Sequence, residues 1–187
     1  SNLYGFRRMS GAAGSYMPFS KDIHLDMKTG NTPKTLLHET VHAITEPALQ
    51  AEIDAISDTF PEARHLLSTR LTGQKLYNLM KEVSEKYPEL QVGQLCKLMV
   101  IVIEHQGLES FLANRKVSGY GFWGSVKPQG LKYNTDLPYG LSSMFEFVTE
   151  AFSEPSFQRE LESIKLPNDP NTSVWSKFTE LISKLFG

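Results

Sequence analysis

The chain has a single cysteine, Cys96. No intrachain disulfide can form, and no cluster of thiolates can hold zinc. A reducing setting is compatible with that. Long hydrophobic runs are missing too. The longest, Leu98 to Ile103, is far short of the ~20 apolar residues that a bilayer-spanning helix needs. Charge of one sign is also scarce. A formal net charge of −2 leaves no basic patch for nucleic acid and no acidic tail. There is no internal repeat and no low-complexity tract. An initiating methionine is absent as well. Ser1-Asn2 reads as a cloning scar, so the chain is expected to be a piece of a longer protein. These absences point to a soluble setting with no membrane or nucleic-acid partner, and they do not name the compartment.

What remains is an ordinary globular balance. With 187 residues, 40% hydrophobic and 21% charged, the chain can bury one real core, which suits a single domain over 1–187. Residues 10–31 read as a hairpin. Gly11 and Gly14 precede Tyr16, Asp22-Ile23-His24-Leu25-Asp26 alternates as a half-buried strand does, and Gly30-Asn31 carries turn chemistry. Thr32 then offers an N-cap, with Pro33 at the first helical position. This helix is expected to stop near Glu46, because Pro47 disfavours helical geometry in the residue before it.

A mostly helical insertion is expected over about 48–116. Its candidate helices are Ala48–Phe60, Glu62–Leu71, Gly73–Tyr87 and Val92–Asn114, the last broken at Gly107. Residues 117–140 mix glycine with aromatics and read as irregular. Helices are expected again from about Met144 to Ser153, over Gln158–Ile164 and over Val174–Phe186.

The first helix carries His38-Glu39-Thr40-Val41-His42. At about 100° per residue, Leu37, Val41 and Ile44 cluster as a core stripe. His38 and His42 lie beside that stripe, one turn apart, where two imidazoles can share one metal ion. Glu39 lies round from His42, able to reach a water on that metal without ligating the metal itself. This H-E-x-x-H pattern suits metal-assisted hydrolysis, in which the glutamate takes the water's proton and returns it to the leaving amine. A strand directly before such a helix can pair with an extended substrate.

Catalytic zinc takes three protein ligands and keeps one position open. His24, His65 and His105 stand at no recognised short spacing from the motif, so a carboxylate is sought downstream. In the helix after Ser143, Phe145, Val148 and Phe152 form one stripe, expected to be the core face. Glu146 and Glu150 lie on the other side, one turn apart, and either could reach the metal. Ser143-x-x-Glu146 is also a capping box, which would tie Glu146 to the helix start.

The run Tyr139-Gly140-Leu141-Ser142-Ser143-Met144-Phe145-Glu146-Phe147-Val148-Thr149-Glu150-Ala151-Phe152 resembles the last active-site segment of anthrax lethal-factor-type zincins. Its continuation to Gln158 is closer still to the zincin-like domains of large phage-associated polyvalent proteins. Those also share Leu36-Leu37-His38-Glu39, His42-Ala43 and a short final helix like Trp175–Phe186. The resemblance covers roughly 14–50 and 135–187. It implies an α+β zincin-like fold, with a small, partly antiparallel sheet beside the motif helix. It implies zinc held by His38, His42 and Glu146, a hydroxyl from Tyr139 for the developing oxyanion, and Glu150 orienting a ligand histidine. The long helical interval between His42 and Glu146 departs from the family pattern.

The expected activity is therefore zinc-dependent endopeptidase hydrolysis of a protein or peptide substrate. One rival is a cytoplasmic peptidase of the repressor-cleaving kind, which fits the Tyr139 spacing less well. The other is a zincin fold retained as a binding or structural module with little turnover, against which intact Glu39 and Tyr139 argue. Tyr120, Phe122 and Trp123 read as an aromatic turn packed on the core rather than a cleft lining.

Overall fold

The computed structural model describes residues 14–17, 22–25, 32–67, 71–114, 139–141 and 143–186. For the strands near the start of the chain and for Ser110, Ala113, Asn114, Tyr139 and Phe186, the description extends to the backbone only.

Strands β1 (Gly14–Met17) and β2 (Asp22–Leu25) pair antiparallel, with Gly14 opposite Leu25 and Met17 opposite Asp22, and the hairpin packs against α1 (Pro33–Ser57). Helix α1 starts as its sequence dictates. Thr32 is extended, and its Oγ1 accepts from the Thr35 N–H at 3.2 Å.

Helix α1 does not stop at Glu46. It runs 25 residues, straight through Pro47. An interior proline costs about 3 kcal/mol, through a lost hydrogen bond and a clash with the carbonyl one turn back. Beyond Pro47 the helix buries Leu49, Ile53 and Ile56, each at most 2% exposed. At about 1.5–3 kcal/mol per buried side chain, that packing outweighs the proline. Pro47 itself stays on the exposed side. Residues 48–57, expected to open a separate insertion, thus continue α1.

The core stripe expected at Leu37, Val41 and Ile44 is also corrected. Val41 is buried, but Leu37 and Ile44 are 47% and 58% exposed. The buried face of α1 runs instead along His42, Thr45, Leu49, Ile53 and Ile56. The apolar letters of the first half marked the wrong side, because the polar residues there face the other helices.

A 3₁₀ segment over Pro61–Leu67 replaces the α-helix expected at Glu62–Leu71. Helix α2 (Gly73–Lys86) is capped by Thr72, whose side chain accepts from Lys75 N–H at 3.3 Å. Helix α3 (Gln91–Gln106) is the centre of the fold and packs against α1, α2 and two later helices, over Met144–Ser153 and Val174–Phe186. Its sequence is apolar on nearly every side because nearly every side is covered. Leu90 supplies no side-chain cap to α3. Glu52 on α1 does so from outside, accepting from the Val92 N–H at 2.8 Å. Gly107, at φ 109°, breaks the helix where expected and starts α4 (Leu108–Asn114).

A 3₁₀ turn at Tyr139–Leu141 leads to α5 (Met144–Ser153) and α6 (Pro155–Ser163). The hairpin of β3 (Lys165–Leu166) and β4 (Asp169–Ser173) was not expected, although Pro167-Asn168-Asp169 is a turn signal. Helix α7 (Val174–Phe186) closes the described chain. On α5 the buried face is Met144, Phe147, Val148 and Ala151, whereas Phe145 is half-buried and Phe152 is 38% exposed. The expected stripe of Phe145, Val148 and Phe152 is therefore rotated. Phe147 anchors α5 through edge contacts with Phe157 on α6 and Phe178 on α7, at centroid distances of 5.6 and 5.9 Å. The described chain is thus mostly helical, with small antiparallel sheets. Among the described residues no helix is long and apolar enough to cross a membrane.

Candidate metal centre

The site lies where α5 crosses the first half of α1. One helical turn brings the His38 and His42 rings to a centroid distance of 4.9 Å, and their Nε2 atoms to 3.2 Å. Glu146 enters from α5. Its backbone N–H donates to Ser143 Oγ at 3.2 Å, which fixes the first turn of that helix. Only this half of the capping box forms. The carboxylate turns away to the histidines, with Oε2 3.2 Å from His38 Nε2 and Oε1 3.2 Å from His42 Nε2. Among the described residues, His38, His42 and Glu146 form the one group of three side chains whose donor atoms could hold a metal ion.

The contacts fit a metal better than they fit one another. Glu146 Oε2 is buried and has no aligned hydrogen bond, although His38 Nε2 is within reach. One donor atom from each of the three side chains lies within 4.8 Å of the other two. Ligand atoms about 2.0–2.1 Å from a tetrahedral centre stand about 3.3–3.4 Å apart, close to the 3.2 Å separations seen here. Two imidazoles and one carboxylate are also a donor set that suits zinc with an open position.

Burial pushes the Glu146 carboxyl up, but the close approach of the His38 and His42 ring nitrogens, and their charge, outweigh it and hold the group at about 2. Burial pushes His42 down. The close approach of the Glu146 and Glu46 carboxylates, and their charge, overcome that and raise it to about 9. Glu39 is 6% exposed, and burial raises its carboxyl against the opposing pull of His42 and His38.

The outer nitrogens of both rings also meet carboxylates. His38 Nδ1 lies 3.4 Å from Glu150 Oε1 and 3.4 Å from Ser153 Oγ. The Ser153 hydroxyl donates to Thr149 O at 2.7 Å, which leaves its oxygen to accept from Nδ1. His42 Nδ1 lies 2.8 Å from Glu46 Oε1. Sequence reasoning passed over Glu46, because the helix was expected to end there. Its position four residues after His42 was the available signal.

Tyr139 opens the 3₁₀ turn, but its side chain lies outside the described residues. The turn itself is held close to the site. A Cβ on Gly140 would lie 2.6 Å from the Phe157 ring and 3.2 Å from Glu150 Cβ, so only glycine fits there without displacing a neighbour. Tyr120, Phe122 and Trp123 lie outside the described residues, as does the side chain of His24. His65 and His105 are exposed on other elements and are not part of the metal-capable group. A cavity of about 330 Å³ opens elsewhere, between α2, α3, the β3–β4 turn and α7, and no residue of the candidate centre lines it. The chain matches no protein-family profile, no curated protein and no solved structure.

Proposed function

We propose that this chain is a zinc-dependent endopeptidase domain of the zincin-like kind, acting on a protein or peptide substrate. The observation that carries the reading is the convergence of His38 Nε2, His42 Nε2 and the Glu146 carboxylate at 3.2 Å separations, with Glu39 buried one residue along the same helix. These three side chains would hold zinc, which when bound supplies Lewis acidity to water and to a carbonyl oxygen.

The chain's own residues account for the rest. Glu39 follows His38 in the motif but is absent from the ligand triangle, which frees its carboxylate to take a proton from the attacking water. The same carboxylate then returns the proton to the leaving amine. Glu150 and Ser153 face His38 Nδ1, which keeps that ring's proton on the outer nitrogen and its Nε2 lone pair turned inward. Tyr139, in the turn packed on Glu150, donates its hydroxyl to the oxygen on which negative charge develops. The β1–β2 hairpin beside α1 offers backbone for pairing with an extended substrate.

The test is turnover of a peptide library by the zinc-loaded chain, with Glu39→Gln as control. Glutamine keeps the shape but cannot accept the proton. Hydrolysis by the wild type, lost in Glu39→Gln while zinc is retained, is the expected result. A zinc-loaded wild type that cleaves nothing would favour a binding module. Loss of zinc together with activity in Glu39→Gln would make Glu39 a ligand.

A further inference from the structure

We infer that Glu46 is a positioning residue of the metal centre, holding His42 with its proton on Nδ1 so that Nε2 faces the metal. The inference rests on the metal-centre reading above and adds a residue to it.

An imidazole that ligates through Nε2 carries its proton on Nδ1, and a buried N–H needs an acceptor. His42 is 6% exposed, and its Nδ1 is sealed from solvent with no aligned hydrogen bond. Glu46 Oε1 is the acceptor in reach, at 2.8 Å. Its approach is close but oblique.

A simple surface pair at this spacing would be worth a few tenths of a kcal/mol and would do nothing for a metal. The burial argues otherwise. The Glu46 side chain is 14% exposed and that of His42 7%, so neither has bulk water as its main partner. A carboxylate so enclosed is rarely left without a partner. Helix continuity matters as well. Because α1 runs on through Pro47 to Ser57, Glu46 sits in a helix interior and not on a fraying end. Both ligand histidines are then backed by a carboxylate, Glu150 from α5 for His38 and Glu46 from α1 for His42. Acceptors of this kind fix the tautomer and orientation of the ring, and their loss typically lowers metal affinity ~10–100-fold.

The experiment measures zinc affinity at fixed neutral pH by competition with a chromophoric chelator. The wild type is compared with Glu46→Ala, Glu46→Gln and Glu46→Met, and the unfolding of each zinc-free form is followed in parallel. Glu46→Ala is expected to weaken zinc binding about 10–100-fold with a near wild-type unfolding transition. Glu46→Gln, whose amide oxygen still accepts from Nδ1, is expected to recover most of that loss. Glu46→Met keeps the bulk without the oxygen, and it carries the test should the alanine variant fail to fold. Wild-type affinity in a folded Glu46→Ala or Glu46→Met overturns the inference and leaves the metal centre standing. A loss as complete as that of His42→Ala overturns it too, by making Glu46 a ligand. A wild type that binds no zinc overturns the metal centre and this inference together.

Discussion

Glu146 and Glu150, one turn apart on α5, meet opposite nitrogens of the same ring: Glu146 Oε2 lies 3.2 Å from His38 Nε2, and Glu150 Oε1 lies 3.4 Å from His38 Nδ1. The two carboxylates are interchangeable in sequence spacing but not in space. One faces the point shared with His42, and the other faces away from it.

That difference predicts unequal effects on zinc. On the proposed reading, Glu146→Ala removes a ligand and should abolish tight binding. Glu150→Ala removes a partner of the ligand and should cost only about 10–100-fold. Chelator competition on both variants checks this, and a larger loss in Glu150→Ala would exchange the two roles.

How much of this was legible in the sequence follows from what each residue answers to. Thr32-Pro33 and Thr72 act locally, so the starts of α1 and α2 were readable, as was the break at Gly107. The His38–His42 spacing is a property of one helix and was readable too. Pro47 also acts locally, yet the burial of Leu49, Ile53 and Ile56 against distant segments overrides it. The exposure of Leu37 and Ile44 has the same origin, since the buried side of α1 is set by the elements it meets and not by its own apolar letters. Glu46 and Glu52 were invisible for that reason: one needed the helix to continue, and the other needed α3 beside it. The choice between Glu146 and Glu150 could not be made from spacing and came from the resemblance.

Gly140 should tolerate no side chain. The Cβ of Gly140→Ala would press on the buried Phe157 ring and on Glu150, which must shift to admit it. Overpacking of this kind costs about 1–3 kcal/mol. Urea unfolding of Gly140→Ala is expected to show that loss, and unchanged stability would mean the turn does not sit against α6 as described.

A pH-dependent contribution to stability is expected from Tyr77, away from the metal centre. Its hydroxyl donates to Glu104 Oε1 at 2.6 Å across α2 and α3. That hydrogen bond first, with burial and the carboxylate's charge after it, raises the phenol from 10.0 to about 12. The folded state therefore holds the proton more tightly than the unfolded chain. The contribution is complete below pH 10.0 and is lost as pH rises through about 12. Tyr77→Phe should cost about 1 kcal/mol at about pH 8, and the gap to wild type should narrow by about pH 11. Denaturant melts at the two pH values check this, and a gap that does not change with pH would contradict it.

The claim on which the functional reading depends is that His38, His42 and Glu146 hold one zinc ion. The direct measurement is elemental analysis of the purified chain after zinc loading and removal of unbound metal at neutral pH, beside His42→Ala treated identically. The account predicts one zinc per wild-type chain and none in His42→Ala. A wild type without zinc, or equal zinc in both, would contradict it.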